Sequence, residues 1–293
     1  MSATSLSIPA MTPTRGVFRR NINTIAIIWY RDLLCYVRDW MRIVMSLLQP
    51  LMFLFIFGSG LANNLNVAGT LPAGAHILDF RTFLFPGVLS MAILFTAIFS
   101  AISIVWDRDF GFLREIQVAP ISRTSVILGK ALGGSTLSMI SGMIMLLFAP
   151  LIGLPLTFGL VVELMLEMAL LAFALTSMGI VIASRMKSME GFQMIMQVFL
   201  MPMFFLSGAL FPLRNLPGWL AFLTRLDPVT YSVDPLRQAV LSTLNLPSST
   251  MHGLGMGIRL FGVSLSVPTE LVVVAVLSLI FITWGTILFN KQD

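Results

Sequence analysis

The sequence predicts an all-α polytopic membrane protein with six transmembrane helices, and three observations lead there. Of the 293 residues 57% are hydrophobic and only 11% charged, with a mean hydropathy of +0.93, whereas a soluble domain carries about 25% charged residues to cover its surface. Six stretches stay apolar over roughly 20 residues, the helix length that crosses a hydrocarbon core about 30 Å thick. No ten-residue alternation of apolar and polar positions occurs, so helices rather than barrel strands must satisfy the backbone in lipid. This composition excludes a cytosolic enzyme, a disordered chain and a nucleic-acid-binding module. The net charge of +5 reads instead as topology signals and lipid-phosphate contacts.

Residues 1–42 form a leader. Its opening has no apolar run close behind a short basic start, so the amino terminus is expected to stay as synthesised. From residue 18, Phe18, Ile22, Ile25, Trp29, Leu33, Tyr36 and Trp40 recur at steps of three and four, which is one face of a helix. Arg20, Arg31, Arg38 and Arg42 form a stripe on another face, with Arg19, Asp32 and Asp39 nearby. A basic, aromatic amphipathic helix of this kind is expected to lie along the membrane surface and feed the first span.

The transmembrane domain then occupies residues 43–293, with spans predicted at 43–61, 83–106, 131–152, 160–183, 192–213 and 269–289. Spans three and four are joined by a short Gly/Pro turn around Gly153 and Pro155. With the amino terminus inside, thirteen Lys and Arg fall on cytoplasmic segments (Arg15, Arg19, Arg20, Arg31, Arg38, Arg42, Arg108, Arg114, Arg123, Lys130, Arg185, Lys187 and Lys291). Five fall outside (Arg81, Arg214, Arg225, Arg237 and Arg259). The excess predicts cytoplasmic termini.

Two segments between spans carry more than a linker needs. The loop 107–130 alternates charges of both signs with Phe112, Leu113, Ile116 and Val118, and Pro120 and Ser122 end one helix and cap the next. It reads as a docking helix for a cytosolic partner. The outer segment 214–268 is dense in Pro and Gly and holds two short amphipathic runs, around Trp219–Leu223 and Leu236–Leu244, too short to cross. They read as a lid over whatever passes between the spans.

The chemistry is sparse. No G-x-x-x-x-G-K-[ST] loop occurs; Gly129-Lys130 is followed by Ala131 and lacks a glycine at Thr124. The single cysteine, Cys35, excludes a disulfide framework, and His76 and His252 are too far apart to suggest a metal centre. No catalytic and no metal-binding residue is predicted, and the chain is not expected to be an enzyme. Glu163 and Glu167 lie one turn apart inside span four. Span five is rich in Met and Phe (Met194, Met196, Phe199, Met201, Met203, Phe204, Phe205), with Gln193 and Gln197 one turn apart and Pro202 central; Phe95 and Phe99 are one turn apart in span two. Met and Phe make adaptable apolar surfaces, so Phe95, Phe99, Gln197, Met201, Phe204 and Phe205 are the expected path residues. Gly134, Ser138 and Gly142 give span three a small-xxx-small stripe for close packing.

Several motifs occur together: Phe85-Pro86-Gly87 at the opening of span two; Arg114-Glu115-Ile116-Gln117-Val118-Ala119-Pro120-Ile121-Ser122-Arg123; Leu206-Ser207-Gly208-Ala209-Leu210-Phe211-Pro212; Leu216-Pro217; and Asp227-Pro228-Val229-Thr230-Tyr231. With six spans behind an amphipathic leader, they make the chain similar to the permeases of type-2 ABC exporters, the class that includes daunorubicin-resistance and nodulation-factor export permeases. The resemblance covers about Trp29 to Phe289. It implies a permease dimer, expected to be a homodimer, bound to two copies of a cytosolic ABC ATPase that carry the Mg-ATP. Phe112, Leu113, Arg114, Glu115, Ile116 and Pro120 would couple to that ATPase, the leader would be the connecting helix, and spans one, two and five would line the path. The long Gly-rich stretch from Met251 to Val267 departs from the pattern. The function expected is ATP-driven export of a lipophilic or amphiphilic substrate (a drug, a lipid or a lipid-linked glycan) across a bacterial cytoplasmic membrane, in contact with membrane lipids and without nucleic acid. A proton-coupled carrier built on Glu167 and a non-transporting scaffold are the competing readings.

Overall fold

A computed structural model describes residues 14–60, 80–109, 122–211, 213, 216–243, 259–260 and 263–290. Its regular structure is helical apart from a two-residue antiparallel pairing of Arg259–Leu260 with Val263–Ser264, with short turns between the helices. Six helices are long and apolar enough to cross a membrane: Trp40–Gly60, Phe80–Asp109, Arg123–Leu146, Phe158–Arg185, Met189–Leu206 and Val267–Asn290. They are spans one to six below, and the chain is an all-α integral membrane protein.

The ends of the spans differ from those predicted where a local device outweighs hydropathy. Span three begins at Arg123, where the Ser122 Oγ accepts the Ser125 N–H as a cap, and it stops at Leu146 instead of running to 152. Residues Ala149–Ile152 are a 3-10 turn closed by Gly153 at φ +79°, a left-handed conformation that glycine adopts without steric penalty. Span five stops at Leu206 rather than 213, because Gly208 also takes a left-handed φ of +75°. Span one carries Pro50 inside its helix and passes through a π-helical turn at Phe53–Phe57. A proline that removes one backbone donor and a widened turn are both recognised sources of bending.

Span two is the axis of the bundle. It is apolar on all sides and almost wholly buried between Phe83 and Ile98, as expected for a helix with neighbours all round. Close approach is bought by small residues. A β-carbon at Gly134 would lie 2.2 Å from Ser100 Oγ and 2.5 Å from Thr176 Cγ2, and one at Gly142 would lie 2.7 Å from Met168 Cε. The predicted small-residue stripe of span three is therefore the seam where spans two, three and four meet, with the Ser138 Oγ returned to the Gly134 carbonyl. Gly87 of span two sits against the turn after span five, with Ala209 O 2.5 Å from where its β-carbon would be. Spans one and five, by contrast, turn broad apolar faces outward, including Met45, Met194 and Val198.

The leader helix, Thr14–Arg38, does not rest on a membrane surface alone: it runs alongside span three in the same direction. Ile25 and Ile28 meet Gly129, Asp32 meets Gly133, the Trp29 Nε1 donates to Thr136 Oγ1 at 3.0 Å, and the Tyr36 and Ser141 hydroxyls are 2.9 Å apart. Of the predicted apolar face, Ile25, Trp29, Leu33 and Tyr36 turn inward, whereas Phe18, Ile22 and Trp40 are exposed. The two short helices are Gly218–Leu226 and Thr230–Ser242. The first carries an exposed apolar face; the second is buried against spans two, four and six. Pro235 lies inside the second helix.

Candidate functional site

A cavity of about 580 Å³ opens between the leader and spans one, two, three and five. The leader contributes Tyr36. Asp39, the one non-helical residue between leader and span one, contributes its side chain, and span one contributes Arg42, Met45, Ser46 and Gln49. Span two brings Phe95, Thr96, Phe99 and Trp106, and span five brings Gln193, Gln197 and Met201. The lining is mixed: aromatic and Met surface faces hydroxyls, three amides, one cation and one anion. Periodicity explains the arrangement, since Phe95 and Phe99, like Gln193 and Gln197, share a helix face at a spacing of four. Phe95 and Phe99 stack with ring centroids 6.4 Å apart. A buried chain from Thr96 Oγ1 through Ser141 to Tyr36 (3.1 and 2.9 Å) fixes the wall behind them.

Four of the six predicted path residues, Phe95, Phe99, Gln197 and Met201, line this cavity. The other two do not. Phe204 is fully buried and packs edge-on against Phe53 of span one at 5.8 Å, and Phe205 stands beside it on an exposed face. Phe204 therefore holds span five to span one. The predicted arginine stripe also divides. Arg20 and Arg38 are exposed, but Arg42 belongs to span one and faces the cavity, and Arg31 enters an ion network. The coupling residues Phe112, Leu113, Arg114, Glu115, Ile116 and Pro120 lie outside the described residues.

That network was not anticipated. Lys130 Nζ lies 2.6 Å from Asp107 Oδ2 and 3.5 Å from Asp32 Oδ2 and donates to Ser103 Oγ at 2.9 Å, while Arg31 reaches Asp107 at 3.0 Å and Asp32 at 2.9 Å. The Lys130 side chain is only 4% exposed. Burial opposes the Arg31 charge, but hydrogen bonds and charges from Asp107 and Asp32 outweigh it and hold the guanidinium pKa above its ordinary value. These groups join the leader to the end of span two and the start of span three. Beside them Arg108 donates to the Met186 and Ser184 carbonyls after span four, and Arg123 donates to the Asn290 carbonyl ending span six. The flanks of the predicted docking loop are thus tied to each other, to the leader and to the ends of spans four and six. The signal in the sequence was Lys130 beginning an apolar run, with Asp32 and Asp107 beside other charges at the ends of two others.

At the other end of the bundle, Arg237 of the second short helix lies 4.3 Å above the Phe83 ring and donates to the Gly208 and Ala209 carbonyls at 2.6 and 3.3 Å. Burial, partly offset by Asp234, lowers its pKa to about 10. Asp227, just before that helix, accepts from the Val229 N–H and the Thr230 hydroxyl, yet burial pushes its pKa up to about 7. In span four Glu163 is exposed and Glu167 buried. No group of three or more His, Cys, Asp or Glu able to hold a metal occurs among the described residues.

A family model described as "ABC-2 type transporter" matches residues 23–241. A protein named transport permease ycf38 from Cyanophora paradoxa is 27% identical over 261 residues, covering 85% of this chain and 81% of its own length. The multidrug ABC transporter permease YbhR of Escherichia coli strain K12 is 25% identical over 171 residues, 58% of this chain and 46% of its own. The inner membrane transport permease YadH of the same strain is 22% identical over 228 residues, 77% and 86% of the two chains.

Proposed function

The chain belongs to the ABC-2 type transporter family, and from that premise we propose that it is the permease subunit of an exporter, driven by two copies of a separate ATPase and paired with a second copy of itself. Its substrate is an amphiphile taken from the inner leaflet of a bacterial cytoplasmic membrane and released outward. The observation that carries this reading is the mixed cavity of about 580 Å³. Its volume lies within the range of small-molecule sites, and its Phe, Met and Trp surface opposite amides and hydroxyls suits a molecule with an apolar and a polar part.

Work done on the docking loop has a defined route. Its first flank, Asp107, is held to Lys130 and Arg31, and its neighbour Arg108 to the end of span four. Displacement of the loop therefore moves the leader and spans two, three and four together. The leader and span two carry Tyr36, Phe95 and Phe99 on the cavity wall, so the same displacement reshapes the cavity.

The test is reconstitution with the ATPase in vesicles, following ATP-dependent movement of a fluorescent amphiphile. Glu115→Arg is expected to abolish export while the permease still inserts, and Met201→Trp, which fills the cavity, to abolish export while ATP hydrolysis persists. Full ATP-driven export by Glu115→Arg would overturn the docking assignment. Uphill transport by the permease alone would overturn the whole reading.

A further inference from the structure

Arg42, the third residue of span one, faces the cavity. Its guanidinium donates to the Phe99 carbonyl at 3.1 Å, where span two breaks between Ser100 and Ile102. Phe99 lies eight residues before Asp107, so Arg42 sits about 12 Å further along the bundle than the ion network at 1.5 Å rise per residue. There it has no carboxylate within ion-pair distance among the described residues, whereas the nearby Arg31 and Lys130 each touch two. Asp39 shares the cavity wall, but its carboxylate accepts the Arg42 backbone N–H as the cap of span one. An ionisable group inside a span that faces a cavity with no ion-pair partner of its own marks a candidate ligand path. A guanidinium fork with free N–H groups matches the oxygens of a phosphate or carboxylate.

We propose that the cavity selects amphiphiles with an oxyanion headgroup, the Arg42 guanidinium taking the headgroup and the Gln49, Gln193 and Gln197 amides supporting it. The alkyl part leaves past Met45 and Met201, both exposed at the cavity mouth. This inference rests on the reading of the cavity as the substrate site and names the substrate's class.

The test is binding to the full chain in phosphatidylcholine nanodiscs, read by fluorescence quenching of Trp106, with Trp106→Phe as the control that locates the signal. The probes are dodecyl phosphate, dodecyl maltoside and inorganic phosphate. Dodecyl phosphate is expected to bind about tenfold tighter than dodecyl maltoside, as befits a hydrogen bond to a charged group, and inorganic phosphate far more weakly than either. Arg42→Gln should erase the preference, Arg42→Lys keep part of it, and Asp39→Asn widen it severalfold, the last without depending on an arginine variant that folds. Equal binding of phosphate and maltoside amphiphiles, or a preference unchanged in both Arg42→Gln and Asp39→Asn, overturns the selectivity and leaves the cavity as an amphiphile site. Inorganic phosphate binding as tightly as dodecyl phosphate overturns the amphiphile class. If no probe quenches Trp106, the cavity is not a substrate site and the proposed function loses its carrying observation too.

Discussion

The two ends of the bundle bury charge in opposite ways. At the end with the loop flanks, Arg31, Asp32, Asp107 and Lys130 neutralise one another across three elements. At the other end, Arg237 is held by backbone carbonyls and the Phe83 ring, and Asp227 by a backbone N–H and a hydroxyl. The first arrangement is mutual: each charge is tolerated because the others stand opposite it, so elements must arrive together or not at all. The second is more individual: Asp234 offsets the burial of Arg237 only in part, and a group held mainly by dipoles carries its burial as a shifted pKa. A mutual network suits a place where motion must pass between helices, whereas individually held charges suit a lid that pins one turn.

Lys130→Met tests this contrast most severely. It leaves two carboxylates facing one guanidinium in a dry site, and loss of one partner from a buried network costs about 3–5 kcal/mol. Thermal unfolding in detergent should fall accordingly, and Lys130→Met combined with Asp107→Leu should recover most of the loss. A double variant no better than the single one would break the claim of mutual compensation.

Asp227 gives the next largest effect, with a defined sign. Its folded pKa of about 7 lies well above the ordinary aspartate range, so its contribution is fully present below pH 4 and is lost as pH rises through 7. That end of the bundle should therefore lose stability progressively across that window. Asp227→Asn, which keeps an oxygen for the Val229 N–H, should flatten the slope in hydrogen exchange of residues 230–242. A slope unchanged in the variant would assign the titration elsewhere.

Arg237→Met should cost about 2 kcal/mol by freeing two carbonyls and an aromatic face, seen as faster proteolysis near the Gly208 turn with little change in the ion network. Ser122→Ala, removing one cap beside the network, should cost about 1 kcal/mol and sharpen the comparison by showing that the network, not local helix capping, dominates that end.

The sequence reveals the number of spans and their order because hydropathy and length are nearly sufficient for both. It misplaces span three because Lys130 looks like a boundary; Asp107 and Asp32 make it tolerable inside, and neither is near it in sequence. It misplaces the end of span five because a left-handed Gly208 is invisible to a hydropathy sum. The leader's helical face is legible from its repeat, but not its partner: Gly129 and Gly133 become a groove only when Ile28 and Asp32 lie in it. In the cavity, composition finds Phe95, Phe99, Gln197 and Met201. Phe204 is grouped with them by type alone, and Arg42 is read as a surface charge because its partner, the Phe99 carbonyl, belongs to the backbone.

Tyr36 and Arg42 lie on either side of Asp39, whose φ of −97° and ψ of 70° interrupt two otherwise continuous helices. One panel of the chamber is thus split by a single non-helical residue. Such a panel folds inward or outward by turning two dihedral angles, with every helical bond above and below left intact, so the chamber can change its shape while its sides stay stiff.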